Sequence, residues 1–525
     1  MIKISNIKLN VTYSQEDLIE YICKTLSVKQ NQILEIVLIK KSIDARKKPN
    51  IFYILTVGVS LISQKLEDKL NYPKVDYKID GLEYNRLKSS ETPVVVGFGP
   101  SGMFVGLALA KMGLKPLIIE QGECVDERIT SVQNFWNNGV LNEYSNVQFG
   151  EGGAGTFSDG KLNTNLNNEY CKKVINELYL HGAPKEILYE SKPHIGSDKL
   201  TTVVKNIREH IIKLGGKVLF NTKLVDIKLN QNKVTNIEII NVKTNQEQTI
   251  QTGIVALCLG HSARDSFKLL KSLGANINQK PFAMGVRIEQ KAENINRMQY
   301  GDNYDKNLPN ADYKLVTHLP NNRSMFTFCM CPGGVVVASS SNKGEIVTNG
   351  MSYFARDNVY SNSALLVNVN PSDYENDDVL AGIYFQEKYE KLAFELGGGN
   401  FSAPAESVGS FLYNKQNGGE CSYKPNCKFV KLKQCLPEFI YESLKLGIMD
   451  FNKKYKYFAQ DDDVLIGVET RSSSPITILR DDRYESNIMG VFPCGEGAGY
   501  AGGIISSAQD GIKVAEAIYN KIKNK

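Results

Sequence analysis

Gly97, Gly99 and Gly102, with Glu120 at the end of the next apolar run, could hold a dinucleotide. They stand in PVVVGFGPSGMFVGLALAKMGLKPLIIE, residues 93–120. Gly97 permits a tight turn, Gly99 lets a pyrophosphate approach the backbone, and Gly102 lets the following helix pack closely on the strand. The helix N-terminus offers free N–H groups and a positive dipole end to phosphates, while Glu120 can accept both ribose hydroxyls. A lone glycine fingerprint is weak evidence. An apolar strand before it, a small-residue helix after it and an acid closing the second strand make it specific.

A second glycine segment indicates which dinucleotide. Residues 490–515 read GVFPCGEGAGYAGGIISSAQDGIKVA: a short apolar strand, a turn at Gly495, Glu496 and Gly497, the Gly502-Gly503 pair, then a helix from about Ile504. In FAD enzymes with a glutathione-reductase-like domain, such a segment returns to the first strand, its acid meets the pyrophosphate or ribityl chain, and its helix N-terminus points at the flavin. Between the two lies GKVLFNTKLVDI (Gly216 to Ile227), a strand pair to about Ile240, and GIVALCLGHSARD (Gly253 to Asp265). The order of the three segments favours FAD over NAD.

Other residues could act on a substrate. In FCMCPGG, Cys329 and Cys331 would face the same side of a strand. Reactive thiols need an electropositive, accessible setting, and two core cysteines leading into a Pro-Gly turn read as packing. Arg287 in GVRIE and Arg471 in GVETRSSSPI lie in apolar or hydroxyl-rich surroundings, where a guanidinium requires a carboxylate, phosphate or carbonyl. Glu289 and Glu469 could be those partners, or the arginines could meet substrate. His194 in SKPHIGSDKL could donate to substrate or flavin, although a lone histidine is commonly structural. No Ser/His/Asp set and no metal cluster is visible.

These residues need elements to position them. The expected fold class is α/β: a Rossmann-like FAD-binding domain of residues 91–265 and 481–525, an inserted antiparallel-sheet substrate domain of residues 266–480, and a small α+β domain with its linker in residues 1–90. The first 90 residues read as strand (Ile2 to Val11), helix (Gln15 to Thr25), two long strands (Ile33 to Ser42, Ile51 to Ser60) and a short helix near Leu61 to Leu70. The inserted part alternates strands with helical stretches near Ile383 to Leu396 and Leu436 to Phe451. It contains no second strand-GxGxxG-helix unit, so any nicotinamide donor is expected to dock without a domain of its own.

The chain resembles bacterial and plastid FAD-dependent dehydrogenases, or NAD(P)/FAD-dependent oxidoreductases, of undefined substrate within the glutathione-reductase-like superfamily. The resemblance runs over nearly the whole length. It rests on SIDARKK (Ser42 to Lys48), VVVGFGPSGMF (Val94 to Phe104), FGEGGAGTFSDGKL (Phe149 to Leu162), GVRIE, FCMCPGGVVV, GVETRSSSPI and PCGEGAGYAGGI (Pro493 to Ile504). It implies FAD at Gly97, Gly99, Pro100, Ser101, Gly102, Glu120 and Arg128, and at Gly153, Ser158 and Asp159 of the segment wrapping the flavin. It further implies Val225 beside the adenine, Gly260 near the pyrophosphate, and Gly495, Glu496, Gly503 and Ile504 at the returning helix. Catalytic roles fall to Arg287, Arg471 and His194.

Composition limits the partners. The chain has 525 residues and a net charge of +5, and the first 90 residues, with 15 basic and 10 acidic side chains, carry that whole excess. Arg46, Lys47 and Lys48 form a basic knot between two strands, a possible polyanion contact. The favoured function is an FAD-dependent oxidoreductase acting at flavin N5 on a small molecule; alternatives are an FAD-dependent RNA-modifying enzyme or a flavin-bearing interaction protein. No apolar run approaches the ~20 residues of a membrane span and no signal-peptide core is present, so the expected compartment is the cytoplasm. Ten cysteines without a CxxC pair suggest no disulfide framework and no zinc site, with most thiols free and buried.

Overall fold

A computed structural model describes residues 1–163 and 168–525. The N-terminal strands Ile2–Asn10, Ile33–Asp44 and Phe52–Leu61 form an antiparallel sheet with Phe52–Leu61 in the centre. Alternation places Leu55, Val57 and Val59 on the buried face with Ile2, Ile4 and Ile7, and the helix Gln15–Leu26 covers it through Ile22 and Leu26. Ser14 starts that helix with a capping box: its hydroxyl accepts from Asp17 N–H and the Asp17 carboxylate accepts from Ser14 N–H.

The nucleotide-binding part is a five-stranded parallel sheet, in the order Val491–Pro493, Val255–Leu257, Val94–Val96, Leu117–Ile119, Lys217–Leu219. These strands are short and almost wholly apolar because both faces are covered, one by helices including Pro100–Lys111 and Ile504–Lys523, the other mainly by Leu224, Ile227, Val234, Ile237 and Ile239. The first and last glycine segments meet here. The C-terminal helix Ile504–Lys523 packs on the helix Pro100–Lys111, and the approach is so close that a Cβ on Gly511 would lie 2.4 Å from Ser101 O. A three-stranded antiparallel sheet, Thr222–Asn230, Lys233–Asn241 and Glu247–Gln251, follows the last parallel strand.

Residues 282–469 build a seven-stranded sheet in the order Val316–His318, Ser324–Cys331, Tyr360–Val369, Phe282–Lys291, Val464–Glu469, Ala403–Ser407, Cys427–Phe429, antiparallel except for its last pair. Phe282, Met284, Val286 and Ile288 point to one face, where the helix Glu438–Lys454 covers them with Ile440, Leu444, Ile448 and Phe451. Arg287 and Glu289 therefore point to the other face. A short antiparallel pair, Ile277–Gln279 with Ile476–Ile478, closes the chain at the base of this region.

Cys421 and Cys427 are joined as a disulfide, which the reading of ten scattered cysteines did not anticipate. The remaining eight are free, and five of them are buried. No helix among the described residues is long and apolar enough to cross a membrane, and no group of His, Cys, Asp and Glu among them could hold a metal ion.

Candidate functional site

A cavity of about 380 Å³ runs from the first glycine turn to the seven-stranded sheet, within the range of small-molecule and cofactor sites. Its wall includes Gly97, Gly99, Pro100, Ser101 and Glu120 on one side, and Phe328, Cys329, Thr348, Asn349, Glu469 and Arg471 on the other. Gly97 has φ +96°, and a Cβ there would meet Cys258 O at 2.5 Å. Gly102 serves packing outside the wall: its Cβ would lie 1.9 Å from Gly97 O. Gly99 caps the helix Pro100–Lys111 with no side-chain hydrogen bond, and Gly503 caps Ile504–Lys523 in the same way. Both helices therefore leave first-turn N–H groups and the positive dipole end available to an anion. Glu496, Gly503 and Ile504 line the cavity, and an added Cβ at Gly260, Gly502 or Gly503 would meet nothing within 4 Å.

Glu120 is buried, and its carboxylate already organises the turn. One oxygen accepts from Phe98 N–H at 2.8 Å; the other accepts from Gly122 N–H at 2.9 Å and Gly150 N–H at 3.0 Å. A carboxylate has about four lone-pair sites, so capacity for a ribose hydroxyl remains.

Arg128 is corrected from cofactor contact to clamp. It is fully buried and away from the cavity wall. Its guanidinium donates to Asn146 O (2.8 Å), Glu151 O (2.6 Å), Val147 O (3.0 Å) and Gly153 O (3.0 Å). It thereby fixes the segment in which Gly150, Gly152 and Gly153 all take positive φ. Gly153 faces Gly99 so closely that its Cβ would lie 2.9 Å from Gly99 Cα. Ser158 and Asp159 line the cavity, but Asp159 is held by Arg356, Ser352 and Lys161. Against the cost of burial, the charges of Lys161 and Arg356 keep its carboxyl well below the usual carboxylate range.

Val225 is corrected as well. It is 40 % exposed and sits at a register shift between Leu224 and Asp226, so Thr222, Lys223 and Leu224 line the cavity instead. Gly495 lies behind the wall, where its N–H donates to Asp510 at 2.8 Å and a Cβ would strike Ser101. His261 lines the cavity and is buried; its Nδ1 lies 3.1 Å from Glu496 Oε1 without hydrogen-bond alignment, and both ring nitrogens lack partners.

The three catalytic candidates separate. Arg287 is fully buried behind the wall: its Nε and Nη2 bind Glu469 at 2.6 and 2.7 Å, and Nη1 donates to Asn362 Oδ1 and Cys329 O. Arg471 does line the cavity, yet its partners are Glu390 and Glu345, shared with Arg264, and neither Glu289 nor Glu469. Glu289 instead accepts from Ser422. His194 stacks on Phe354 and pairs through Nε2 with Phe354 O at 2.9 Å, outside the cavity wall. In the basic knot, Arg46 is held by Asp44 at 2.8 Å and Lys48 donates to Met298 O at 2.6 Å, which leaves Lys47 as the only side chain of the three with no such contact among the described residues.

Cys329 departs from the packing expectation. A register shift between Phe328 and Cys331 removes it from the ladder, its φ is +43°, and it lines the cavity, while Cys331 is buried. Sequence reasoning also passed over Lys161, Gln148, Phe328, Thr348 and Asn349. Lys161 stands inside the glycine-rich string already singled out; the others belong to strands or loops whose facing only the tertiary fold decides.

Residues 281–472 match the model of the family described as "FAD-dependent protein, C-terminal domain-like", and residues 1–60 match a domain of unknown function. A protein of Clostridium beijerinckii described as uncharacterized is 46% identical over 533 residues, covering 99% of each chain. Among solved structures, the flavin-dependent brominase Bmp2 aligns with TM-score 0.38 and 13% identity over 83% of this chain and 80% of that one. A glycerol-3-phosphate dehydrogenase of Bacillus halodurans complexed with FAD gives 0.36 and 10% over 83% and 65%. A flavoprotein/dehydrogenase of Cytophaga hutchinsonii gives 0.37 and 11% over 83% and 79%. At these values the likeness says nothing about substrate. The cavity suits the cofactor that the family model names: two uncapped helix N-termini for phosphates, a carboxylate closing the second strand, and open glycine walls. Its cofactor is FAD, and the chain belongs to the family of the Clostridium beijerinckii protein.

Proposed function

We propose that this protein is an FAD-dependent oxidoreductase of the glutathione-reductase-like type. It would act on a small molecule bound between the flavin and the seven-stranded sheet. One observation carries the reading: a single cavity is walled by the nucleotide turn at Gly97 to Ser101 and by Phe328, Thr348, Asn349 and Glu469 of the sheet region. The domain layout that goes with it has residues 91–265 and 481–525 as the FAD-binding part and residues 266–480 as the insert. The strand pair Ile277–Gln279 and Ile476–Ile478 supports that division.

Bound FAD supplies two-electron exchange at flavin N5. The protein's own residues bind, orient and screen. Free N–H groups at the two helix N-termini and the Glu120 carboxylate hold the dinucleotide. His261, buried with unpartnered ring nitrogens, can donate to or accept from a ligand oxygen. The Arg264, Arg471, Glu345 and Glu390 cluster keeps the sheet region docked against the nucleotide-binding part. Phe328 and Val347 limit water at the substrate side.

The test is to purify the protein, identify its flavin, photoreduce it anaerobically and follow reoxidation against a panel of small-molecule oxidants. FAD bound at about one per chain and a saturable reoxidation by one compound class are expected. FMN or no flavin would refute cofactor binding. A flavin that dithionite reduces and no metabolite reoxidises would refute the enzymatic reading.

A further inference from the structure

The wall facing the cofactor cavity carries two thiols in different settings. Cys329 is half-buried on the wall; Cys331 is fully buried behind it, with its Sγ 3.3 Å from Cys329 O. Regular pairing would have kept both in the ladder of the strand Ser324–Cys331. The register shift at Phe328/Cys331 and the positive φ of Cys329 break that pairing next to the cavity. Bulges of this kind re-aim a side chain, and positive φ at a non-glycine residue persists only where surrounding structure imposes it.

The charges around the pair are fixed. Lys161 reaches over the bulge to donate to Met330 O and lies 3.4 Å from Asp159; Arg287 donates to Cys329 O at 3.1 Å. Asp159 pairs with both Lys161 and Arg356, and Glu469 with Arg287, so the cations outnumber the anions by one around the pair. The neighbouring Cys331 thiol, with the charges of Lys161 and Arg287 and against the cost of burial, holds the Cys329 thiol below its ordinary range; Cys331 itself is pushed up by its neighbour and by burial. A cavity-facing thiolate beside a protonated neighbour is the arrangement of an attacking and a resolving cysteine.

We propose, on the reading that this cavity holds FAD, that Cys329 and Cys331 are a two-cysteine site for hydroperoxides. Cys329 thiolate attacks one peroxide oxygen; the O–O bond breaks, a Cys329 S–O bond forms, and the leaving oxygen takes a proton as water or alcohol. The Cys331 thiol then gives its proton to the departing sulfenic oxygen, which leaves as water, and the Cys329–Cys331 bond closes. The thiol pair loses two electrons and the peroxide gains them; an external dithiol, or two external thiols, returns two electrons and two protons and leaves as a disulfide. Hydrogen peroxide arises wherever reduced flavin meets oxygen, so the site lies where its oxidant would be made.

The experiment uses the native holoprotein and needs no variant to begin. Both cysteines fall in one tryptic peptide, Ser324 to Lys343. Iodoacetamide at pH 6 should label Cys329 at least tenfold faster than the half-buried Cys23 and Cys124. One equivalent of hydrogen peroxide should remove two hydrogen masses from the peptide and abolish that labelling, and dithiothreitol should restore both. In Cys331→Ser, dimedone should trap a sulfenic acid on Cys329. Equal labelling of the three half-buried thiols, oxidation spread evenly over them, or a dimedone adduct on Cys329 with Cys331 intact would each overturn the proposal. Flavin content, read by absorbance on the same sample, reports separately on the cofactor reading, and the thiol chemistry can be repeated on apoprotein.

Discussion

Replacing Arg128 with methionine tests whether the glycine-rich wall of the cavity depends on one clamp. The substitution keeps an unbranched stem in the core and removes the guanidinium that serves four carbonyls, those of Asn146, Val147, Glu151 and Gly153. Hydrogen bonds from a charged group contribute about 1.5–3 kcal/mol each, which would give roughly 6–12 kcal/mol if they were independent. They share one group, and the freed carbonyls can relax towards water, so a loss of about 3–5 kcal/mol is expected, as when a buried charged network is broken. Burial itself opposes the cation: it holds the Arg128 guanidinium down at about 10, although Glu120, Glu151 and Glu123 pull the other way. Its four acceptors and those carboxylates make the charge tolerable there. Total stability is typically 5–15 kcal/mol, so the urea midpoint should fall steeply, and FAD should be lost on gel filtration before the chain unfolds. Arg128→Lys should behave almost as badly, since an ammonium cannot span acceptors set on several sides. An unchanged midpoint with full flavin retention would refute the clamp.

Four further outcomes are expected. Gly153→Ala should weaken FAD retention far more than stability, because φ +61° costs about 1–2 kcal/mol for alanine while its Cβ intrudes on Gly99; Gly274→Ala, with φ +78° and nothing within 4 Å, is the control that should keep its flavin. Glu120→Ala should lose flavin together with the turn it organises, each charged hydrogen bond counting for about 1.5–3 kcal/mol, so unaltered FAD content would contradict the assigned role. His181 and His210 share a hydrogen bond of 2.8 Å, and burial lowers both from their ordinary range. Their stabilisation is complete above about pH 6.5 and is lost as pH falls through the lowered values, so thermal stability should drop between pH 7 and 5 and His210→Asn should flatten that slope. Finally, NADPH or NADH should reduce the flavin slowly and saturate weakly; fast reduction saturating at micromolar concentration would require a dedicated nicotinamide site.

The nucleotide-binding half was legible because its physics is local. A strand, a glycine turn and a helix N-terminus make the site within one short segment, so spacing pointed to Gly97, Gly99 and Glu120 and the resemblance added Pro100 and Ser101, all of which line the cavity. The N-terminal strands and the helix Gln15–Leu26 were legible too, within a residue or two at most of their ends. Where a side chain's role depends on what the fold brings opposite it, spacing does not decide.

Arg128 was expected at the cofactor, and only the return of residues 146–153 around its guanidinium makes it a buried clamp. Arg471 was expected near Glu289 or Glu469, but a helix far away in sequence supplies Glu390. Cys329 was misplaced because a register shift in its strand defeats the period of two. The amino-acid sequence by itself determined where a glycine turn, a free helix N-terminus and a buried carboxylate come together, since those features arise within a few residues. Which thiol faces the cavity, which arginine is neutralised and by what, only tertiary packing decided, because burial and charge pairing are properties of surfaces that meet across the whole chain.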